Sequence, residues 1–107
     1  MVRSVDAVTL AKELEQDPKG VVLLDVRDHE ERAYAAIQPS LFIPMHEVPR
    51  RLNELPRESR IVVYCHHGSR SAMVAGYLER EGFDRVENLR GGIDGWASRV
   101  DRSIPRY

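Results

Sequence analysis

The sequence has no second cysteine, no appreciable excess of either charge, and no apolar run long enough to cross a bilayer. A lone Cys65 cannot close an internal disulfide, which excludes an oxidative framework and points to a reducing compartment. Lys and Arg total 16 against 17 Asp and Glu, a formal net charge of -1, so no whole-molecule field recommends nucleic acid or an anionic membrane as partner. Any preference for anions has to be local. Lysine is scarce beside arginine, a bias that genome base composition accounts for as readily as function. Met1-Val2-Arg3-Ser4-Val5-Asp6 lacks the apolar core of a signal peptide, and a soluble cytoplasmic protein with no membrane partner is the expectation. Internal repeats, low-complexity tracts and Gly/Ser linkers are missing too. Residues 1–107 are therefore expected to form a single domain, a size at which folding buries roughly two-thirds of the unfolded chain's surface.

What the sequence does have is an α/β rhythm, with strand-like and helix-like patterns alternating along its length. Asp6 is placed to cap a helix whose Ala7, Leu10, Ala11 and Leu14 share one face and which ends before Asp17-Pro18-Lys19-Gly20. Val21-Val22-Leu23-Leu24 reads as a strand covered on both faces, closed by Asp25-Val26-Arg27. Asp28 is positioned to cap a helix over His29 to Ala36, and Leu41-Phe42-Ile43 makes a short strand before Pro44. Pro49 is expected to open a helical stretch from Arg50 to Leu55 that Pro56 ends. Ile61-Val62-Val63-Tyr64 is the next strand, followed by a helix from Ser69 to Glu81 that stops at Gly82. Arg85 to Leu89 reads as the last strand, and Gly91-Gly92 as a turn into a helix over Ile93 to Ser98, with Trp96 in the core. Residues Asp101 to Tyr107 show no periodicity.

The chemistry concentrates at Cys65-His66-His67-Gly68-Ser69-Arg70. Cys65 directly follows a buried-type strand, and ligands of open α/β sheets bind at the carboxyl ends of such strands. The sulfur also faces a helix N-terminus, where unpaired N–H groups and the helix dipole favour a thiolate and can hold an anion. Cysteine is often a small buried hydrophobe. The polar loop after it, with a glycine able to take left-handed torsions, argues for a nucleophile instead. Arg70 falls in the first helical turn, where its charge opposes the dipole. Its candidate roles are to meet an oxyanion substrate, to favour the Cys65 thiolate, or to pair with Asp25 or Asp28. His66 and His67 are adjacent and are expected to point in different directions. With no second cysteine or patterned carboxylate beside them, they read as loop polarity and not as metal ligands. Asp25 and Arg27 should share a sheet edge with Cys65, either as rim contacts or as an ion pair tying the strand end to a loop. Arg90 is a third candidate rim contact.

These residues resemble the rhodanese family of sulfurtransferases over nearly the whole chain. Three blocks carry the likeness: Asp25-Val26-Arg27 with Glu30 and Glu31, Cys65 to Ser71, and Leu89-Arg90-Gly91-Gly92-Ile93-Asp94-Gly95-Trp96. The resemblance implies a three-layer sandwich, with a five-stranded parallel sheet and helices on both faces. It also implies a persulfide on Cys65, cradled by the loop His66, His67, Gly68, Ser69, Arg70 and Ser71. The reaction it implies is ping-pong and calls for no cofactor: thiosulfate or a similar small anionic donor yields sulfur to Cys65, which passes it to cyanide or a thiol. A sulfur-relay protein is a further candidate partner. One block departs from the family, with Ala35-Ala36-Ile37-Gln38-Pro39-Ser40 standing where Gly-His-Ile-Pro-Gly-Ala is usual, and no functional residue is carried onto it. Two alternatives are phosphatases or arsenate reductases of related fold, and a non-catalytic binding or regulatory module. The phosphatase-type loop has one residue more than the four between Cys65 and Arg70, and here Ser71 takes the place of its arginine.

Overall fold

The chain, as a computed structural model describing residues 2–107, builds an α/β sandwich from its alternating segments. In chain order the elements are β1 (Arg3–Asp6), α1 (Ala7–Gln16), β2 (Val21–Asp25), α2 (His29–Tyr34), β3 (Leu41–Phe42), a 3-10 segment (Met45–Glu54), β4 (Arg60–Tyr64), α3 (Ser69–Arg80), β5 (Val86–Arg90) and α4 (Gly92–Arg99). The five strands are ordered β1-β5-β4-β2-β3 and every pairing is parallel. All carboxyl ends therefore point to one edge, and Cys65 leaves the central strand there.

Strand alternation splits β4 between two cores. Ile61, Val63 and Cys65 face one side with Leu24 and Val26, covered by Val74, Ala75 and Leu78 of α3 and by Val48 and Leu55. Val62 and Tyr64 face the other with Leu23 and Leu89, covered by Leu10 of α1 and by Ile93 and Trp96 of α4. Because β2 and β4 are covered on both faces, their sequences read as nearly continuous apolar runs.

Caps hold the helices where the sequence places them. Asp6 Oδ1 accepts the Thr9 amide at 2.8 Å, and Asp28 with Glu31 forms a reciprocal capping box at the start of α2. Other expectations change. A strand precedes α1: Arg3-Ser4-Val5-Asp6 pairs with β5 at the sheet edge and has one apolar residue, the buried Val5, so its composition carries no strand signal. Helix α2 stops at Tyr34, two residues short of Ala36. Pro49 does not open a helix. It lies inside a 3-10 segment that starts at Met45 and kinks at Arg51, where φ is -120°; the missing N–H of a proline is tolerated in such short i→i+3 turns.

The departing block Ala35 to Ser40 is held from below by a buried polar knot. Arg27, 1% exposed, gives Nε and Nη2 to the two oxygens of Asp25 at 2.8 and 2.7 Å, and Nη2 also reaches the Ala35 carbonyl at 2.6 Å. The Tyr64 hydroxyl accepts the Ile37 amide and donates to Asp25 Oδ2, while Arg32 donates to the Ser40 hydroxyl and carbonyl. Burial, reinforced by the Asp25 charge, raises the Tyr64 phenol above its ordinary value and keeps it a donor. Asp25 and Arg27, both buried, thus form the ion pair that ties strand end to loop. Asp25→Ala leaves the Arg27 charge buried and uncompensated and is expected to lower the free energy of unfolding by about 3–5 kcal/mol, read from urea denaturation.

Candidate active site

Cys65 is 1% exposed, yet its sulfur is not sealed in hydrocarbon. The Gly68 amide donates to Sγ at 3.1 Å and the Ser71 amide at 3.3 Å. Gly68 reaches this position with φ at +121°, a torsion that glycine adopts without the penalty a side chain incurs, and it is the N-cap of α3. The sulfur lies at the positive end of that helix.

Ser71 is fully buried and its hydroxyl lies 3.3 Å from Sγ. Its proton is directed elsewhere, because Ser71 Oγ donates to Asn88 Oδ1 while Asn88 Nδ2 donates to the Gly68 carbonyl at 3.2 Å. Ser71 Oγ therefore turns a lone pair, not its proton, towards Sγ. Asn88, on β5, fixes both the serine and the loop backbone. Sequence reasoning missed it, because Asn88 stands between other polar residues of β5, Glu87 and Arg90, and does not stand out.

The loop's outer backbone is held by α4. Ile93 N donates to the Cys65 carbonyl at 2.9 Å and Asp94 N to the His66 carbonyl at 3.1 Å. That approach leaves no space at Gly92, where φ is +60° and a Cβ would collide with the Cys65 and His66 carbonyl oxygens. Chain reversal explains Gly91; close contact with the Cys65 loop explains Gly92.

Arg70 pairs with neither Asp25 nor Asp28. Its Nη1 and Nη2 donate to Glu31 Oε1 and Oε2 at 2.7 and 3.0 Å, a fork that the Glu31 position in the capping box presents to it. Arg70 also lies within Coulombic reach of Cys65 and Tyr107. The Arg70 guanidinium, aided by the Tyr107 hydroxyl, pulls the Glu31 carboxyl down to about 2 against the opposing effect of burial. His66 and His67 depart from expectation as well: their rings stack with centroids 3.9 Å apart and planes at 30°. Asp94 is the carboxylate that the linear sequence did not place beside them. Donor atoms of these three residues lie within 4.8 Å of one another. Nearly parallel imidazoles, however, direct their in-plane lone pairs side by side instead of at one point, and Asp94 is already gripped by Arg106 at 2.9 and 3.1 Å. Ser69 opens α3, and Arg90, largely exposed, lies 3.5 Å from Asp6 at the far end of the rim.

A profile of the rhodanese-like domain matches residues 7–99. The chain belongs to the rhodanese-like family. It is 41% identical over 97 residues to a sulfurtransferase of Allochromatium vinosum, covering 91% of this chain and 90% of that one. It is 37% identical over 78 residues to the thiosulfate sulfurtransferase GlpE of Actinobacillus pleuropneumoniae, covering 73% and 72%. The crystal structure of a rhodanese-like domain protein from Staphylococcus aureus superimposes with a TM-score of 0.84 at 32% identity, over 99% of both chains. Family and relatives together support a transferase, with sulfur transfer as its general chemistry. Among the described residues no helix is long and apolar enough to cross a membrane.

Two outcomes are expected for this rhodanese-like site. Gly92→Ala should destabilise the fold by about 1–3 kcal/mol from the torsion alone, and by displacing the Cys65 and His66 carbonyls it should also slow alkylation of Cys65 by iodoacetamide. The Glu31 pKa of about 2 lies below its ordinary 4.5, so the Glu31–Arg70 pair contributes stability that is complete above the ordinary value and lost as pH falls through about 2. Unfolding free energies of wild type and Glu31→Gln, from urea denaturation, should therefore differ by about 1 kcal/mol at neutral pH, the size of a partly screened pair, and converge in strong acid.

Proposed function

We propose that residues 1–107 act as one rhodanese-like sulfurtransferase that carries sulfane sulfur on Cys65. The observation that carries this reading is the convergence of the Gly68 and Ser71 amides on Sγ at a helix N-terminus. Fixed dipoles aimed at a sulfur stabilise negative charge there without reorganising, whether it rests on a thiolate or spreads into a persulfide. In the first half-reaction the Cys65 thiolate attacks the outer sulfur of thiosulfate. A new S–S bond forms, and sulfite leaves with the electrons of the broken one. In the second, a thiolate or cyanide attacks the outer sulfur of the persulfide, and the Cys65–sulfur bond breaks with its electron pair returning to Sγ.

Loop dimensions favour sulfur transfer over phosphoryl or arsenate chemistry. Ser71, standing where the longer phosphatase loop carries its arginine, is fully buried against Sγ, so that position offers no guanidinium to an oxyanion's equatorial oxygens. The name of the Actinobacillus relative favours thiosulfate as the donor to try first. A sulfur-relay protein suits the role of acceptor, and the unpaired cysteine suits a reducing compartment such as the cytoplasm.

The test combines turnover with the intermediate. Thiosulfate and cyanide should give thiocyanate, and thiosulfate alone should add the mass of one sulfur atom to the intact chain, both lost in Cys65→Ser. Hydrolysis of phosphate esters with no thiocyanate, or tight partner binding with an unmodified cysteine, would reject the reading in favour of the phosphatase or the docking module.

A further inference from the structure

The segment after α4 has no periodicity, yet it returns to the catalytic loop. Val100 and Asp101 amides both donate to the Trp96 carbonyl at 2.8 and 3.0 Å, ending the helix. Arg106 then closes its fork on Asp94 at 2.9 and 3.1 Å, which delivers Tyr107 to the rim. The Tyr107 ring lies flat on His66, with centroids 3.9 Å apart and planes at 7°. Its hydroxyl accepts from Arg27 Nη1 at 2.8 Å and donates to Glu31 Oε2 at 2.6 Å.

These contacts join the two ends of the Cys65 loop. His66 is the first residue after the nucleophile, and Glu31 is the carboxylate that holds Arg70 at the far end. Tyr107 itself is 42% exposed, so its ring is not needed to fill a core. Burial, then the bond to Glu31, raises its phenol to about 12, which keeps the hydroxyl protonated as the donor to Glu31. Arg70 lies within Coulombic reach of Cys65 and His66 adjoins it in the chain, so a donor or acceptor approaching from the rim passes these two side chains. The sulfur beneath is 1% exposed.

We propose that Tyr107 is a specificity-determining residue, a strap across the mouth of the Cys65 loop that admits slender sulfur donors and acceptors and holds back bulky thiols until it lifts. This inference rests on Cys65 as the sulfur carrier. The step it controls is the attack of a bulky thiolate on the outer sulfur of the Cys65 persulfide, in which the thiol's sulfur bonds to the outer sulfur and the Cys65–sulfur bond breaks towards Sγ.

The experiment alkylates Cys65 in the full chain with two reagents, iodoacetamide as the slender probe and fluorescein maleimide as the bulky one. Wild type, Tyr107→Phe and Tyr107→Ala are compared. Tyr107→Ala should accelerate the maleimide about tenfold relative to iodoacetamide, the order expected from losing one aromatic stack and two hydrogen bonds. Tyr107→Phe keeps the ring on His66 and should fall between. The same variants should raise turnover with glutathione relative to turnover with cyanide. An unchanged ratio of the two alkylation rates, whether neither or both are accelerated, would overturn the strap, because the residue would then not discriminate by size. Alkylation needs only the thiol, so failure of thiosulfate to load sulfur would count against the sulfur-carrier reading while leaving the access result interpretable.

Discussion

The geometry of this site depends on two backbone N–H groups pointing at one sulfur. Amides at a helix N-terminus have no partner within the helix, and those of Gly68 and Ser71 find theirs in Cys65. A loop that offers its donors inward has to be held by something outside itself, and the contacts around it supply that hold. The start of α4 takes the Cys65 and His66 carbonyls, Asn88 takes the Gly68 carbonyl and the Ser71 proton, and Glu31 takes Arg70. Each restraint comes from a different element, so the loop is positioned by the fold as a whole.

Electrostatically the site relies on dipoles more than on free charge. Both arginines nearest the loop are committed to carboxylates, Arg27 to Asp25 and Arg70 to Glu31. Such pairing cancels most of their field at a distance while leaving their donors fixed in direction. What remains uncancelled is the array of N–H groups at the start of α3, which suits a singly charged sulfur at contact range. The near-neutral composition of the chain agrees with a site that binds by local geometry.

Much of this was legible in the sequence, for definable reasons. Strands β2 and β4 announce themselves as apolar runs, Asp6 and Asp28 announce helix starts, and the Cys65-to-Ser71 block places a cysteine at a strand end beside a helix N-terminus. Elements whose stability comes from neighbours were not legible. Strand β1 is polar because it lies at an edge and borrows its definition from β5. The partner of Arg70 depended on where α2 begins, which set Glu31 and not Asp28 across from it. Asp94 and Tyr107 reach the loop only through the path of the chain after β5, and no local pattern encodes that path.

The central claim is that the Gly68 and Ser71 amides hold the reactive sulfur in its anionic forms. It is tested most directly by recording the amide resonances of the chain before and after Cys65 receives one sulfur atom, with loading verified by intact mass. The account predicts that the Gly68 and Ser71 N–H signals are among those that shift most, and that they return when a thiol removes the sulfur. A chain shown by mass to carry the sulfur, with both signals unmoved, would contradict it.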